Sequence, residues 1–404
     1  MIEALRGWTP AQRHVVAASF LGWTLDAFDF FLLVFVLKDV AAEFNATVAT
    51  VAVALTLTLG LRPVGAFLFG RLADRYGRRP ILMLDVALYS AFAFATAFSP
   101  NLMVFFVLRA LFGIAMGGEW GIGASLTMES VPVRSRGFVS GLLQSGYPCG
   151  YLIASIVFAV LYPYIGWRGM FMVGVIPALL ILYIRRHVPE SPGWDRAHAA
   201  TATTFSMLRK HWKLALYAIV LMTAFNFFSH GTQDLYPTFM QVQRGFSHAT
   251  VSTIAIFYNI GAIAGGITFG ILSQRLGRRR TIVITALLSL LAVPLWAFSP
   301  NAVLLGVGAF VMQFFVQGCW GVIPAHLNEI SPAEARGTFP GTVYQLGNFI
   351  ASSNAPLQVM IAGSFGGRYS IALALVAMAA ALVIAVLIGF SREAKEIDLN
   401  ARAL

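Results

Sequence analysis

Twelve apolar runs, each close to the length that crosses a bilayer, recur along the chain. They lie at about 15–37, 48–70, 80–98, 103–127, 138–162, 168–186, 214–240, 250–272, 281–298, 303–327, 340–363 and 369–390. The backbone in these runs must be helical, because sheets with open edges cannot sit in lipid. Composition agrees: 11% of the 404 residues are charged, 58% are hydrophobic and the mean hydropathy is +0.76. A soluble domain of that size would have too little polar surface to show water. The expected fold class is therefore an all-α membrane protein with twelve transmembrane helices.

The basic residues sort by side. Of the 28 lysines and arginines, 22 fall at the two termini and in the even-numbered loops. Lys38, Arg168, Arg244 and Arg368 lie in odd loops, and Arg62 and Arg109 lie inside spans. The positive-inside rule then places both termini in the cytoplasm. The net charge of +11 forms no aromatic-interleaved basic groove, so nucleic acid is not an expected partner. Cys149 and Cys319 sit in apolar runs, spaced for neither a metal site nor a disulfide scaffold. The first apolar run is too long for a cleavable signal and is expected to remain as a helix.

The chain also repeats itself at an offset of 200 residues. GRLADRYGRR, Gly70 to Arg79, returns as GILSQRLGRR, Gly270 to Arg279, and AFSPN at 97–101 returns at 297–301. Trp120-Gly121 matches Trp320-Gly321; Glu129, Pro132, Arg136 and Gly137 match Glu329, Pro332, Arg336 and Gly337. This implies two pseudo-symmetric six-helix bundles, residues 1–187 and 213–404, joined by a cytoplasmic linker at 188–212. Such repeats place a binding site between the halves, near the midplane, for alternating access.

GRLADRYGRR resembles the signature between the second and third helices of major facilitator superfamily transporters. PESPGW, Pro189 to Trp194, resembles the segment after the sixth helix in sugar-porter-like members. In the loop, Gly70 and Gly77 permit a tight turn, and Asp74 can cap or pair with Arg75 and Arg78. With Arg275 in the second copy, where Gln274 replaces Asp74, these residues read as a conformational latch on the cytoplasmic side. Asp85, near the start of span three, is expected to complete it.

Ionisable groups inside spans are costly and usually face a cavity. Asp26 and Asp29 lie three apart, on one helical face. Arg62 lies ~12 Å from the cytoplasmic end of its span and Asp26 ~16 Å, so the two can meet at similar depth. A buried arginine there is either a structural ion pair or an anion site. Arg109 and Glu119, ten residues apart, cannot pair directly; glycines around Glu119 favour a packing role. In NFFSHGTQDLYPT, Asn226 to Thr238, the residues Asn226, His230, Asp234 and Thr238 follow at intervals of four. On a continuous helix they form a polar stripe, and His230 with Asp234 makes a coupled pair able to hold one proton.

That segment resembles the pattern N-x-x-[ST]-H-x-[ST]-Q-D-x-x-x-T of Jen-type lactate/pyruvate–proton symporters, within the sialate–proton symporter family. The resemblance implies that Asn226, His230, Gln233, Asp234 and Thr238 handle carboxylate and proton. It adds Gln345 and Asn348 of YQLGNFIASSN as substrate contacts, and Arg62 of LRPVGAFLFG as the arginine that recognises the anion. LDAFDFF, with Asp26 and Asp29, resembles related carboxylate–proton symporters, including those for aromatic acids. Very short termini and loops imply a bacterial member in the inner membrane.

The expected function is proton-coupled symport of a small monocarboxylate such as lactate or pyruvate. The partners are an organic acid anion, a proton and the lipid bilayer; no cofactor or metal is implied, and the chain is expected to work as a monomer. The alternatives are a symporter for sialic or aromatic acids, an anion exchanger, and a non-transporting carboxylate sensor. Phenylalanines at 225, 227 and 228 argue against the wide polar site sialic acid needs. No nucleophile–base pair or metal spacing suggests an enzyme.

Overall fold

The computed structural model describes residues 6–197, 204–391, 393–395, 397 and 399, and these are helical without strands. The helices of the first half are α1 (Pro10–Glu43), α2 (Val48–Tyr76), α3 (Arg78–Thr96), α4 (Leu102–Ser130), α5 (Arg136–Gln144), α6 (Gly146–Val173) and α7 (Ala178–His187). A short α8 (Pro192–Ala197) leads to the second half. There follow α9 (Thr204–Gln233), α10 (Tyr236–Thr238), α11 (His248–Leu276), α12 (Arg278–Phe298), α13 (Ala302–Trp320), α14 (Ile323–Ile330), α15 (Phe339–Ala351), α16 (Asn354–Ser364) and α17 (Tyr369–Gly389).

The repeat in sequence is a repeat in capping. Asn101 and Asn301, from the two AFSPN copies, accept the backbone N–H of Val104 and Leu304 at 3.0 and 2.9 Å. Each starts a helix by satisfying one of its orphan donors. Gly77 and Gly277 join α2 to α3 and α11 to α12 with φ of 106° and 94°, a conformation that a Cβ would strain. Beyond each joint a distant carboxylate caps the next helix. Glu190 accepts from the backbone N–H of Arg78 at 2.9 Å, and Glu393 from that of Arg278 at 3.0 Å.

Among the described residues, ten stretches are long and apolar enough to cross a membrane. The expected sixth and eleventh spans are instead built in pieces. Non-helical Gly166 breaks α6 ahead of Trp167, and the turn at 174–177 separates it from α7. The eleventh is split into α15 and α16 at Ser352–Ser353. Leucines and valines such as Leu291 and Val303, each 76% exposed, cover the outer faces, as a lipid-facing surface requires.

Candidate functional site

At the end of the bundle that carries both termini the halves are clamped together. Asp74 accepts the backbone N–H groups of Gly337 and Thr338 at 2.8 and 3.0 Å, and the Thr338 hydroxyl also donates to it. Arg78 holds Asp74 at 3.2 Å and Glu129 at 3.3 Å. The repeat-related contact is weaker: Gln274 accepts one N–H from the other half, that of Gly137, at 3.2 Å, while Arg278 pairs with Glu329 at 2.9 Å. Gly70 lies so close to Gly337 that a Cβ would meet that backbone, so the two chains touch without side chains between them.

The other expected latch residues differ in burial. Arg75 and Arg275 are exposed, and the inward arginines of each loop are Arg78 and Arg278. Asp85 is fully buried, neither carboxyl oxygen has a hydrogen-bond partner among the described residues, and it interacts electrostatically with Glu119 and Asp26. Its height along α3 was readable, but its side chain turns into the first bundle rather than toward the loop.

Above the clamp a cavity of about 470 Å³ lies between the halves. Arg62 reaches it from α2 and pairs with Asp26 of α1 at 3.3 Å, so the two do meet at one depth. Across the cavity, His230 contacts Asp234 at 3.1 Å through Nδ1 and the Asn348 side-chain oxygen at 2.9 Å through Nε2. The pair spans one helical turn, which brings i and i+4 side chains together. Asn226 also faces the cavity while donating to the Met222 carbonyl at 2.8 Å. Gln233 donates to Gln313 at 2.8 Å, and Gln313 in turn donates to Thr232 at 3.0 Å.

Other expected site residues lie off the wall. The helix ends at Gln233, and the turn through Asp234 and Leu235 resets its angular phase before Pro237, so Thr238 leaves the polar stripe and is not in the lining. Gln345 is buried behind the wall, where its side-chain oxygen accepts from Asn348 at 3.5 Å. Asp29 is buried away from Arg62 and interacts electrostatically with Arg109, whose guanidinium stacks 3.9 Å from the Phe112 ring. Glu119 is fully buried, fitted into the space that Gly22 leaves open.

The wall includes residues that sequence reasoning did not single out. Trp23, Tyr147, Tyr151, Tyr258 and Tyr344 give it aromatic faces, while Gln144, Asn259 and Gln317 add amides. Glu129 and Glu329 were visible as repeat-matched positions, and that match was the available signal for their part in the clamp.

A clamped, two-half helical bundle around a polar central cavity fits a membrane transporter, and the comparisons with known proteins indicate a transporter rather than an enzyme. The family profile described as the Major Facilitator Superfamily matches residues 19–247 and 235–403, and the chain belongs to that superfamily. It is 28% identical over 395 residues to the sialic acid transporter NanX of Escherichia coli strain K12, covering 97% of each chain. It is 28% identical to a carboxylic acid transporter protein homolog of Saccharomyces cerevisiae, covering 90% of this chain and 64% of that one. The cis,cis-muconate transport protein of Acinetobacter baylyi is 27% identical, with 91% of this chain and 90% of that chain covered. Among solved structures, the proton:xylose symporter XylE superposes with a TM-score of 0.75 at 18% identity, covering 96% of this chain and 98% of XylE. The likeness to XylE concerns the fold alone.

Proposed function

We propose that the chain is a proton-coupled symporter of an organic acid monoanion, carried by alternating access. The observation that carries this reading is one chamber holding both halves of the chemistry. Arg62 offers the cation an anionic substrate needs, and His230 with Asp234 and Asn348 offers a wetted proton site on the facing wall. Arg62 is shared with Asp26, so a substrate carboxylate replaces part of that pairing instead of meeting a bare charge. The amides of Asn226 and Asn348 are the nearest candidates to complete its hydrogen bonds.

In this cycle the pair takes a proton from the periplasmic side of a bacterial inner membrane, with both termini in the cytoplasm. The anion then docks, the two bundles rock, and both leave on the inner side. With proton and monoanion bound together the site gains no net charge, which lowers the cost of passing through low dielectric. Lactate and pyruvate follow from the resemblance of Asn226–Thr238 to Jen-type symporters. A second reading, a bulkier acid, is favoured by the cavity itself. Pockets of ~300–1,000 Å³ take much larger ligands than three-carbon acids. The cavity's amides suit a hydroxylated acid, and its rings suit an aromatic or unsaturated one. The relatives named for sialic acid and muconate support this breadth.

Uptake of labelled lactate, sialic acid and benzoate into vesicles, with and without an inward proton gradient, separates these readings. Uptake of one of these acids, accelerated by the gradient, is expected, and the acid that gains most names the substrate class. Uptake driven only by a counter-anion, indifferent to the gradient, would replace the symporter by an exchanger.

A further inference from the structure

The second half contains another cavity, of about 730 Å³, at the clamped end and away from the central chamber. Its polar lining is Tyr217, His326, Glu329, Ser391 and Glu393, and the remainder of the wall is aliphatic, aromatic or alanine. His326 is 1% exposed, and among the described residues neither ring nitrogen has a hydrogen-bond partner. A buried imidazole left this way loses the hydrogen bonds it would make in water, so the site lacks a partner that something else can supply.

The repeat shows what fills such a place. In the first half the matching glutamate, Glu129, is covered by the chain itself. The Ser191 hydroxyl donates to Glu129, the Gly193 N–H donates to the Ser191 hydroxyl at 3.2 Å, and Gly193 packs on the carboxyl so closely that a Cβ would not fit. Leu126 occupies the position that matches His326. One half therefore closes its niche with a hydrogen-bond donor of its own and an apolar residue. Among the described residues the other keeps an open niche, with His326 on its wall.

Charge selects the occupant. Glu329 and Glu393 both line the cavity, and one guanidinium, that of Arg278, neutralises Glu329 at 2.9 Å, leaving a single negative charge among these three groups. An anion is disfavoured there, so the central site's substrate is not the ligand. We propose that this cavity binds a small amphiphilic monocation, an ammonium group on an apolar body. The ammonium donates to His326 and Glu329, and the apolar body lies against Leu214, Val386 and Leu387. An ammonium on Glu329 competes with Arg278, which also donates to Gln274 of the second clamp at 3.0 Å, so occupancy is felt at the clamp.

The experiment titrates n-hexylamine into the purified full-length protein by calorimetry, beside n-hexanol. Two variants are compared with the native chain: His326→Leu, which installs the residue of the first half, and Leu387→Trp, which fills the cavity. The account expects saturable hexylamine binding, at least tenfold tighter than hexanol and at least tenfold weaker in both variants. His326→Leu should also melt a few degrees higher without ligand, since it removes an unpartnered buried polar group; this shows that the variant folds. Hexylamine binding that is absent in the native chain, unchanged in both variants, or matched by hexanol would overturn the proposal.

Discussion

In the first half, Asp29, Asp85 and Glu119 are at most 1% exposed, and no carboxyl oxygen of the three has a hydrogen-bond partner among the described residues. In the second, the side chains of His230 and Asp234 are 29% and 39% exposed on the wall of the central cavity. These two clusters, one in each half, thus treat ionisable groups in opposite ways. Sealed carboxyls set the packing and the internal field, whereas a group that trades protons with two aqueous sides needs a wetted path. The clamp shows the same division in milder form, with a charged Asp74 on one side and a neutral Gln274 on the other.

The comparison breaks most visibly at Arg109. Arg109→Ala removes a fully buried side chain that stacks on Phe112 and interacts electrostatically with Asp29, and a large-to-small change at such a site costs ~2–5 kcal/mol. Melting of the purified variant should fall sharply. If its melting temperature equals that of the native chain, the sealed groups of the first half are not structural.

The clamp offers a smaller effect. Asp74→Asn weakens charge-assisted hydrogen bonds, each worth ~1.5–3 kcal/mol, and should shift the population about 10–100-fold toward opening at the clamped end. Alkylation of Ser140→Cys, buried beside Ala325 at that end, reads the shift as faster labelling. Gln274→Ala removes a neutral bond of ~0.5–1.5 kcal/mol and should speed the same labelling less. Equal effects from the two would mean that the charge in the first loop confers no advantage.

Much of this was legible before any coordinates. The two AFSPN copies announced the repeat, and the i, i+4 spacing of His230 and Asp234 announced their contact. Depth counting brought Asp26 to Arg62. The limits were equally physical. Counting residues along a span gives height but not direction around the axis, so Asp85 was assigned to the clamp when it faces Glu119. Thr238 was lost because a turn at Asp234–Leu235 reset the helical phase. Glu190 and Glu393 cap helices whose first residues lie 112 and 115 positions away, beyond the reach of any local pattern. Asn348 came only from family resemblance, since nothing in spacing links it to His230 across 118 residues.

The wetted pair carries the proposed coupling, and replacing Asp234 by Asn tests it most directly. The variant keeps the size of the side chain and removes the carboxylate of the proposed proton pair. Reconstituted into vesicles, it should still equilibrate substrate down its own gradient but fail to accumulate it when only a proton gradient is applied. Accumulation at the native level would show that protons enter elsewhere, and the assignment of His230 and Asp234 as the coupling site would be wrong.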